Sequence, residues 1–240
     1  MRTNKPIILL FLLLISTLGK AQDTSQFFKK ADTFFGQYVQ DGKVAYQKIK
    51  KHPDSMTDLL EIAREVSVST KNPKTYQAFW INAYNLLVIK SVVEAYPINS
   101  PLDVPGFFDA KTHFVGGRNL TLNDIENKLL RATFPNEPRF HFALVCAGKG
   151  CPPIINKAYL PETLDSQLQQ QTAYSLNNPQ FIRLQDGNVG LSQIFEWYEG
   201  DFKKNGKGFL DFINPYRKKK IPSDTPITFY PYDWSLNALP

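Results

Sequence analysis

The residues best suited to chemistry are concentrated in one short segment. Residues 141–153, HFALVCAGKGCPP, hold both cysteines of the chain and one of its three histidines. Four interpretations are open: a thiol nucleophile, a disulfide-closed loop, a metal site, or a buried strand followed by a stiff turn. In a regular strand over 140–146, His141 and Cys146 would lie on opposite faces and about 16 Å apart. A catalytic Cys–His pair needs contact, so this pairing requires a break in the strand.

The loop after Cys146 has features that would support acyl transfer. Two glycines allow successive N–H groups to turn inward and form an anion-binding concavity, and a lysine adds positive charge. These N–H groups would stabilise an oxyanion, and a lowered pKa would make Cys146 a thiolate nucleophile. The base would be His141 if the strand breaks, or His113 from an earlier hairpin. The loop residues are Gly148, Lys149 and Gly150.

Three plainer interpretations compete with the nucleophile. A Cys146–Cys151 disulfide would close a small loop and stabilise the fold by about 2 kcal/mol. Cys146 would alternatively be an inert thiol at the end of a buried strand. A zinc site from both cysteines and His141 lacks a recognised ligand spacing, so no metal is predicted. The chain contains no GxSxG, HExxH, P-loop or dinucleotide-binding motif, and no cofactor is predicted.

Polar residues also occur in segments that otherwise have a core pattern. Asn82 and Asn85 share one face of a long helical pattern over residues 73–96, which is apolar nearly all round. A buried amide needs hydrogen-bond partners, so these two either hold the backbone of a neighbouring loop or reach a catalytic group or substrate. Glu126 lies early in a short predicted helix. It either favours the positive end of that helix or approaches the rim of a pocket.

The elements that must position these residues are mostly helical. Apolar spacing predicts helices, the central one over 73–96, and turn residues such as Gly116-Gly117 predict hairpins. The strands are short and scattered, so the sequence predicts an α+β fold, a mostly helical single domain with a small, mainly antiparallel sheet. Further helices are predicted over 25–39, from Asp54 or Ser55, after Thr121 or Asn123, over 160–178 and over 191–204. Strands are predicted over 111–122, 140–146 and 181–191 and near 225–230.

The first residues predict export. Arg2 and Lys5 precede an apolar run that ends in small residues before Gln22, which is typical of a secretory signal peptide over residues 1–21. Residues 22–240 would then form one domain, periplasmic or secreted, with no transmembrane segment. Removing three basic residues with the signal lowers the formal net charge from +6 to +3, too little to indicate nucleic-acid binding. The basic run 217–220 is either a solvated loop or a contact with an anionic surface polymer.

Five sequence blocks together resemble the uncharacterised family known as domain of unknown function 547. They occur in the family's order and spacing from about Tyr76 to Phe202, with YPYDWSLN as a further match in the tail. Residues 22–70 carry no part of the resemblance and are predicted to form a helical extension packed on the 76–202 core. The resemblance implies family membership and an exported bacterial protein, with a papain-like fold as a further expectation. The blocks are FWINAYNLLVIKSV, LTLNDIENKLLR, PRFHFALVCAGKGCPP, AYLPETLDSQL and LSQIFEWYEGDF.

Two functional hypotheses follow. The first is a thiol-dependent hydrolase or acyl transferase of the cell envelope that acts on amide or ester bonds, with Cys146 as nucleophile and His141 as base. Glu126, Asn82 or Asn85 would orient the base or bind substrate, and the amides of the 148–150 loop would hold the oxyanion. The second is a non-catalytic envelope module that binds a small molecule, peptide or protein, with the two cysteines closing its loop as a disulfide.

Overall fold

A computed structural model describes residues 24–185, 187–204 and 206–239. The predicted signal peptide, residues 1–21, lies outside the described residues. The helices are α1 (24–38), α2 (Tyr46–Lys51), α3 (Asp54–Glu65), α4 (Pro73–Ala95), a π-helix (Asp124–Arg131), α5 (Leu164–Asn177), α6 (Gln193–Trp197), α7 (Glu199–Phe202) and α8 (Phe209–Ile213), with 3₁₀ turns at Pro101–Asp103, Pro138–Phe142 and Asn214–Tyr216. The strands are β1 (Val39–Gln40), β2 (Lys43–Val44), β3 (His113–Val115), β4 (Arg118–Leu120), β5 (Ile182–Gln185), β6 (Asn188–Ser192) and β7 (Ile227–Tyr230).

Helix α4 is the central element, as the apolar pattern predicts. It starts with Pro73 at its first position, where the missing N–H costs nothing, and it ends before Pro97, which disfavours a helical residue in front of it. Sixteen of its 23 residues are buried. A helix with apolar residues on every side requires neighbours on every side, so the rest of the chain packs around it.

The described part of the chain has two groups of core residues. The larger one surrounds α4 and includes the aromatic face of α1, where the rings of Phe27 and Phe79 lie 4.9 Å apart. The smaller one lies over the sheet of β5, β6 and β7 and is rich in phenylalanine, with Phe142 and Phe195 at its centre. Segment 138–151 runs between the two groups. Residues from both can therefore meet at that segment.

The strands form small sheets, which confirms the predicted α+β class. Strands β3 and β4 pair antiparallel, and Gly116 and Gly117 turn between them with φ of 58° and 73°. Strands β5 and β6 pair antiparallel, with Ile182 opposite Leu191, and β7 adds to β6 in parallel. Strands β1 and β2 form a third, minimal hairpin.

The predicted strand over 140–146 is wrong. Pro138–Phe142 forms a 3₁₀ turn, and the chain then continues without strand partners to Cys146. Asn85 takes the place of a pairing strand, because its side-chain amide donates to the carbonyl of Ala143 and accepts from the N–H of Val145, at 2.9 and 3.0 Å. The turn breaks the alternation of side chains that a strand would impose. This change allows His141 and Cys146 to face the same space.

Two predicted helices also differ in detail. The 191–204 pattern forms two short helices, α6 and α7, that are separated at Tyr198. The pattern after Thr121 forms a π-helix rather than an α-helix. Thr121 caps it, since its hydroxyl accepts from the N–H of Asp124 and the Asp124 carboxylate accepts from the N–H of Thr121, both at 3.0 Å.

Candidate functional site

A cavity of about 310 Å³ lies where the two groups of core residues meet. Helix α4, the π-helix, the 138–142 turn, the end of α6 and the tail after β7 all contribute side chains to it. Aromatic side chains dominate the wall, and one carboxylate, one imidazole and both cysteines are placed among them. The lining residues are Tyr84, Phe108, Asn123, Glu126, His141, Leu144, Cys146, Cys151, Ile194, Trp197, Tyr198, Tyr232 and Trp234.

The π-helix brings Glu126 to the cavity wall. Wide helical turns of this type are rare and occur often at functional sites. The Glu126 carboxylate accepts a hydrogen bond of 2.7 Å from the hydroxyl of Tyr198 and a longer one of 3.4 Å from Tyr84. Burial, followed by the nearby Glu126 charge, raises the pKa of both tyrosines well above the ordinary value. The two phenols therefore stay protonated and act as donors that hold the carboxylate in place.

His141 is oriented by an acid that sequence reasoning did not identify. Its Nε2 lies 2.7 Å from Oδ2 of Asp201, and the Nε of Arg131 lies 2.7 Å from the same oxygen. Burial alone would raise the pKa of Asp201, but the hydrogen bonds from His141 and Arg131 outweigh it and hold that pKa well below its ordinary value. Asp201 is thus a carboxylate acceptor, and Nε2 must carry the proton. In the neutral imidazole, Nδ1 is then the nitrogen that can take up a proton.

Tyr198 connects this group to Glu126. Its ring lies 4.0 Å from the His141 ring, centroid to centroid, and the Arg131 guanidinium lies 4.7 Å from the centroid of Tyr198. The hydroxyl of the same residue binds Glu126. One side chain therefore fixes the carboxylate, the imidazole and the guanidinium relative to each other. This sharing of one tyrosine makes the wall a rigid unit.

Cys146 and Cys151 are joined by a disulfide, with their Cα atoms 6.4 Å apart. The disulfide-closed loop, one of the alternatives from sequence, is thus present, and neither cysteine is a free thiol in this structure. The hydroxyl of Tyr232 lies 2.9 Å from the sulfur of Cys146 and 2.8 Å from that of Cys151. The N–H of Cys146 also points at the Cys151 sulfur, at 2.9 Å. The nucleophile hypothesis therefore requires reduction before it can operate.

The predicted anion-binding loop needs correction. The N–H of Lys149 donates to the carbonyl of Ser235 at 2.8 Å, and the N–H of Gly150 donates to the carbonyl of Asp233 at 2.8 Å. Gly148 also pairs with the tail, through a bridge to Leu236. The N–H groups of Lys149 and Gly150 therefore hold the tail and are not free for an oxyanion. The loop instead lines a separate open groove of about 1000 Å³ on the other side of Cys151.

Close approach explains the glycine at position 150. A Cβ atom there would lie 2.9 Å from the N of Asp233 and 3.0 Å from the ring of Tyr232. The tail can therefore lie flat on the loop only because Gly150 has no side chain. This contact places the Tyr232 hydroxyl against the disulfide.

Asn82 and Asn85 form hydrogen bonds with the backbone of neighbouring segments and do not line the cavity. The Asn82 amide donates to the carbonyl of Tyr159 and accepts from its N–H, at 2.7 and 2.9 Å, much as Asn85 binds the 143–145 segment. Their exposed fractions are 1% and 2%. Both side chains thus hold the backbone of a neighbouring segment, which is the first of the two alternatives from sequence. Their polar atoms are hydrogen-bonded to the protein itself.

His113, the second candidate base, lies away from the cavity. It belongs to β3, only 4% of it is exposed, and neither ring nitrogen has a hydrogen-bond partner among the residues that the structure describes. Burial first, and then the charges of Lys90 and Lys111, lower its pKa to about 4. The side chain is a buried neutral imidazole next to α4.

Sequence reasoning did not single out Trp197 and Tyr198 of the cavity wall, or Asp201 and Arg131, which form the hydrogen-bonded group with His141. The available signal was the segment FEWYEGD, which places three aromatic and three acidic residues within seven positions. Nothing local connects that segment to His141, 60 residues earlier.

No cluster of three or more His, Cys, Asp or Glu side chains suited to a metal ion occurs within 24–185, 187–204 and 206–239. In the same part of the chain, the structure has no helix with the length and apolar character needed to cross a membrane.

Comparison with known proteins gives one match. No curated protein and no solved structure resembles the chain significantly. Residues 68–174 match the family described as "Protein of unknown function, DUF547". Glu126, His141 and both cysteines lie inside the matched segment, whereas Asp201 and the aromatic tail lie beyond it. Residues 68–174, somewhat less than half of the chain, therefore carry the likeness to the DUF547 family of proteins of unknown function.

Proposed function

We propose that the chain is an exported binding protein whose aromatic cavity holds an organic cation, a protonated or quaternary amine on a small molecule or peptide. The observation that carries this proposal is the Glu126 carboxylate, set among six aromatic side chains in a cavity of about 310 Å³. That volume is at the lower end of the range for small-molecule sites.

The distribution of charge favours a cation over an anion. The Arg131 guanidinium forms an ion pair with the Asp201 carboxylate, which also binds His141. The positive charge of Arg131 and the negative charge of Asp201 therefore compensate each other. Glu126 has two tyrosine donors and no ion pair within the described residues. A positive group on a ligand would supply the ion pair that the protein does not give this carboxyl group beside its apolar wall.

The aromatic wall supports the same ligand class. Trp197 and Trp234 stack with ring centroids 5.9 Å apart, and Tyr232 lies 5.0 Å from Trp197. Trp197 is 47% exposed, so it stands at the mouth of the cavity. The negative faces of such rings attract ammonium groups, and each well-placed contact contributes about 0.5–2 kcal/mol.

Choline and its neutral isostere 3,3-dimethyl-1-butanol provide the test. Titration calorimetry on the oxidised protein should give measurable binding of choline and at least about tenfold weaker binding of the alcohol, which has the same shape but no charge. Glu126→Gln should weaken choline binding about tenfold, or about 1.4 kcal/mol, while Glu162→Gln, an exposed acid outside the cavity, should not. Equal affinity for the two compounds, or no effect of Glu126→Gln, would refute the proposal.

A second candidate is thiol-dependent acyl transfer by the reduced protein. The observation that favours it is that Cys146 and His141 line the same cavity, with His141 held by Asp201 in the manner of a base and its orienting acid. After reduction, Nδ1 of His141 would accept the Cys146 proton, and the thiolate would attack an ester or amide carbonyl. The C–O or C–N bond would then break, and His141 would return the proton to the leaving alcohol or amine as the thioester forms. This activity requires both groups, as the hypothesis from sequence states.

An activated thioester or aryl ester would test the second candidate. The reduced protein should form a covalent acyl adduct at Cys146, detected by mass, and Cys146→Ala should abolish it. Asp201→Asn should lower the rate of adduct formation, since Nε2 would lose its carboxylate acceptor. Unchanged turnover in Cys146→Ala would exclude this mechanism.

A further inference from the structure

We propose that the Cys146–Cys151 disulfide is a thiol–disulfide exchange site, at which a small thiol entering the cavity reduces it by attack on Cys146. Both cysteines line the cavity, and each is partly exposed. Disulfides that only brace a fold resist reduction, while exposed ones are the labile or catalytic kind. This inference does not depend on cation binding, because it concerns the chemistry of the wall itself.

The two sulfurs are not equivalent. The Cys151 sulfur lies 2.9 Å from the N–H of Cys146 and 2.8 Å from the hydroxyl of Tyr232. Within residues 24–185, 187–204 and 206–239, the Cys146 sulfur has one hydrogen-bonding neighbour, the Tyr232 hydroxyl at 2.9 Å, and a phenol has a single proton to donate. Burial keeps this phenol protonated, because it raises the pKa of Tyr232 well above the ordinary value. Negative charge is therefore better accommodated on Cys151, which makes it the leaving sulfur.

Reduction of the Cys146–Cys151 disulfide takes two exchange steps. An external thiolate attacks the Cys146 sulfur, a new S–S bond forms between them, and the Cys146–Cys151 bond breaks with its electron pair on Cys151. The N–H of Cys146 and the O–H of Tyr232 stabilise that thiolate. A second thiolate then attacks the mixed disulfide, releasing the oxidised external pair and leaving Cys146 reduced. Two electrons pass from two thiols to the protein disulfide.

The loop is held independently of the disulfide. The N–H groups of Lys149 and Gly150 bind the carbonyls of Ser235 and Asp233, and the N–H of Cys151 binds the carbonyl of Gly148. These bonds keep the loop in place after the S–S bond is broken. Cys146 thus remains at the cavity wall in the reduced state, ready for reoxidation.

Glutathione is a suitable probe for the native, oxidised protein. After a short reaction, alkylation in acid-quenched samples and peptide mapping should place glutathione on Cys146 and the alkyl label on Cys151. The observed rate should rise in proportion to glutathione concentration. Adducts mainly on Cys151, or a rate that reaches a plateau set by unfolding of the protein, would overturn the proposal.

Variants test the role of the phenol. Tyr232→Phe removes one donor to the leaving sulfur and should slow reduction about tenfold, in line with the loss of one hydrogen bond to a charged group. Tyr230→Phe is the matched control, because its hydroxyl binds the carbonyl of Phe181 instead and lies outside the cavity. If Tyr232→Phe reacts as fast as Tyr230→Phe, the phenol has no part in exchange. Should Tyr232→Phe not fold, the mapping of the wild-type adduct still decides which sulfur is attacked.

Discussion

Acidification should destabilise the fold through His113. This imidazole is buried against α4, and within the described part of the chain neither of its nitrogens has a hydrogen-bond partner. Its pKa is lowered from 6.5 to about 4, first by burial and then by Lys90 and Lys111, with Glu94 acting in the opposite direction. The folded state therefore favours the neutral ring, and the unfolded state binds a proton at a higher pH than the folded state does.

The direction and size of the effect follow from linkage. Stability is unaffected above about pH 7, where the ring is neutral in both states. As the pH falls through 6.5, the unfolded state gains a proton that the folded state does not, and stability is lost until the folded ring also protonates near pH 4. A difference of about 2.5 between the pKa values of the unfolded and folded states, at about 1.4 kcal/mol per pKa unit, gives an upper limit of about 3.5 kcal/mol.

Urea unfolding at steps between pH 7 and pH 4 measures this loss. His113→Leu should remove most of the dependence between these values, and at pH 7 it should be nearly neutral or stabilising, because no hydrogen bond is lost. His52→Gln, at an exposed histidine, is the matched control and should keep the wild-type dependence. If the difference in unfolding free energy between wild type and His113→Leu is the same at pH 7 and pH 4, the reasoning is wrong.

Three further outcomes are expected. Asn85→Leu leaves the carbonyl of Ala143 and the N–H of Val145 buried without partners. Urea unfolding should therefore show that the free energy of unfolding falls by about 2–4 kcal/mol. A fall of less than about 1 kcal/mol would mean that the 143–145 segment does not depend on this amide. Ala147→Gly should raise the unfolding free energy by about 0.5–1 kcal/mol, because φ at this position is 65° and glycine adopts it without a Cβ penalty; a destabilised variant would contradict this. Expression with an export-competent host should give a mature protein that starts at Gln22 by intact mass, and an uncleaved chain would count against the predicted signal peptide.

Local patterns were sufficient for the long helices and for the β3–β4 hairpin, but not for the short helices α2 and α8 or the β1–β2 hairpin. The 73–96 pattern predicts α4 within a residue at its end, because proline bounds it on both sides and apolar residues cover every face. Turn residues predict the β3–β4 hairpin, since Gly116-Gly117 favour the positive φ that tight connections require. These features depend only on residues near each other in the chain. The α+β class follows from counting them.

The sequence alone therefore determined the long helices, the likeness of residues 68–174 to a family, and the concentration of reactive residues in 141–153. Only the tertiary structure decided what those residues do, because their partners are distant in sequence. Asn85 of α4 replaces a pairing strand, which turns 140–146 away from the predicted alternation. Asp201 reaches His141 from 60 residues away, and Tyr232 reaches the disulfide from 81 residues beyond Cys151. Long-range hydrogen bonds of this kind leave no periodic trace in a sequence, since each needs one residue at one place rather than a pattern.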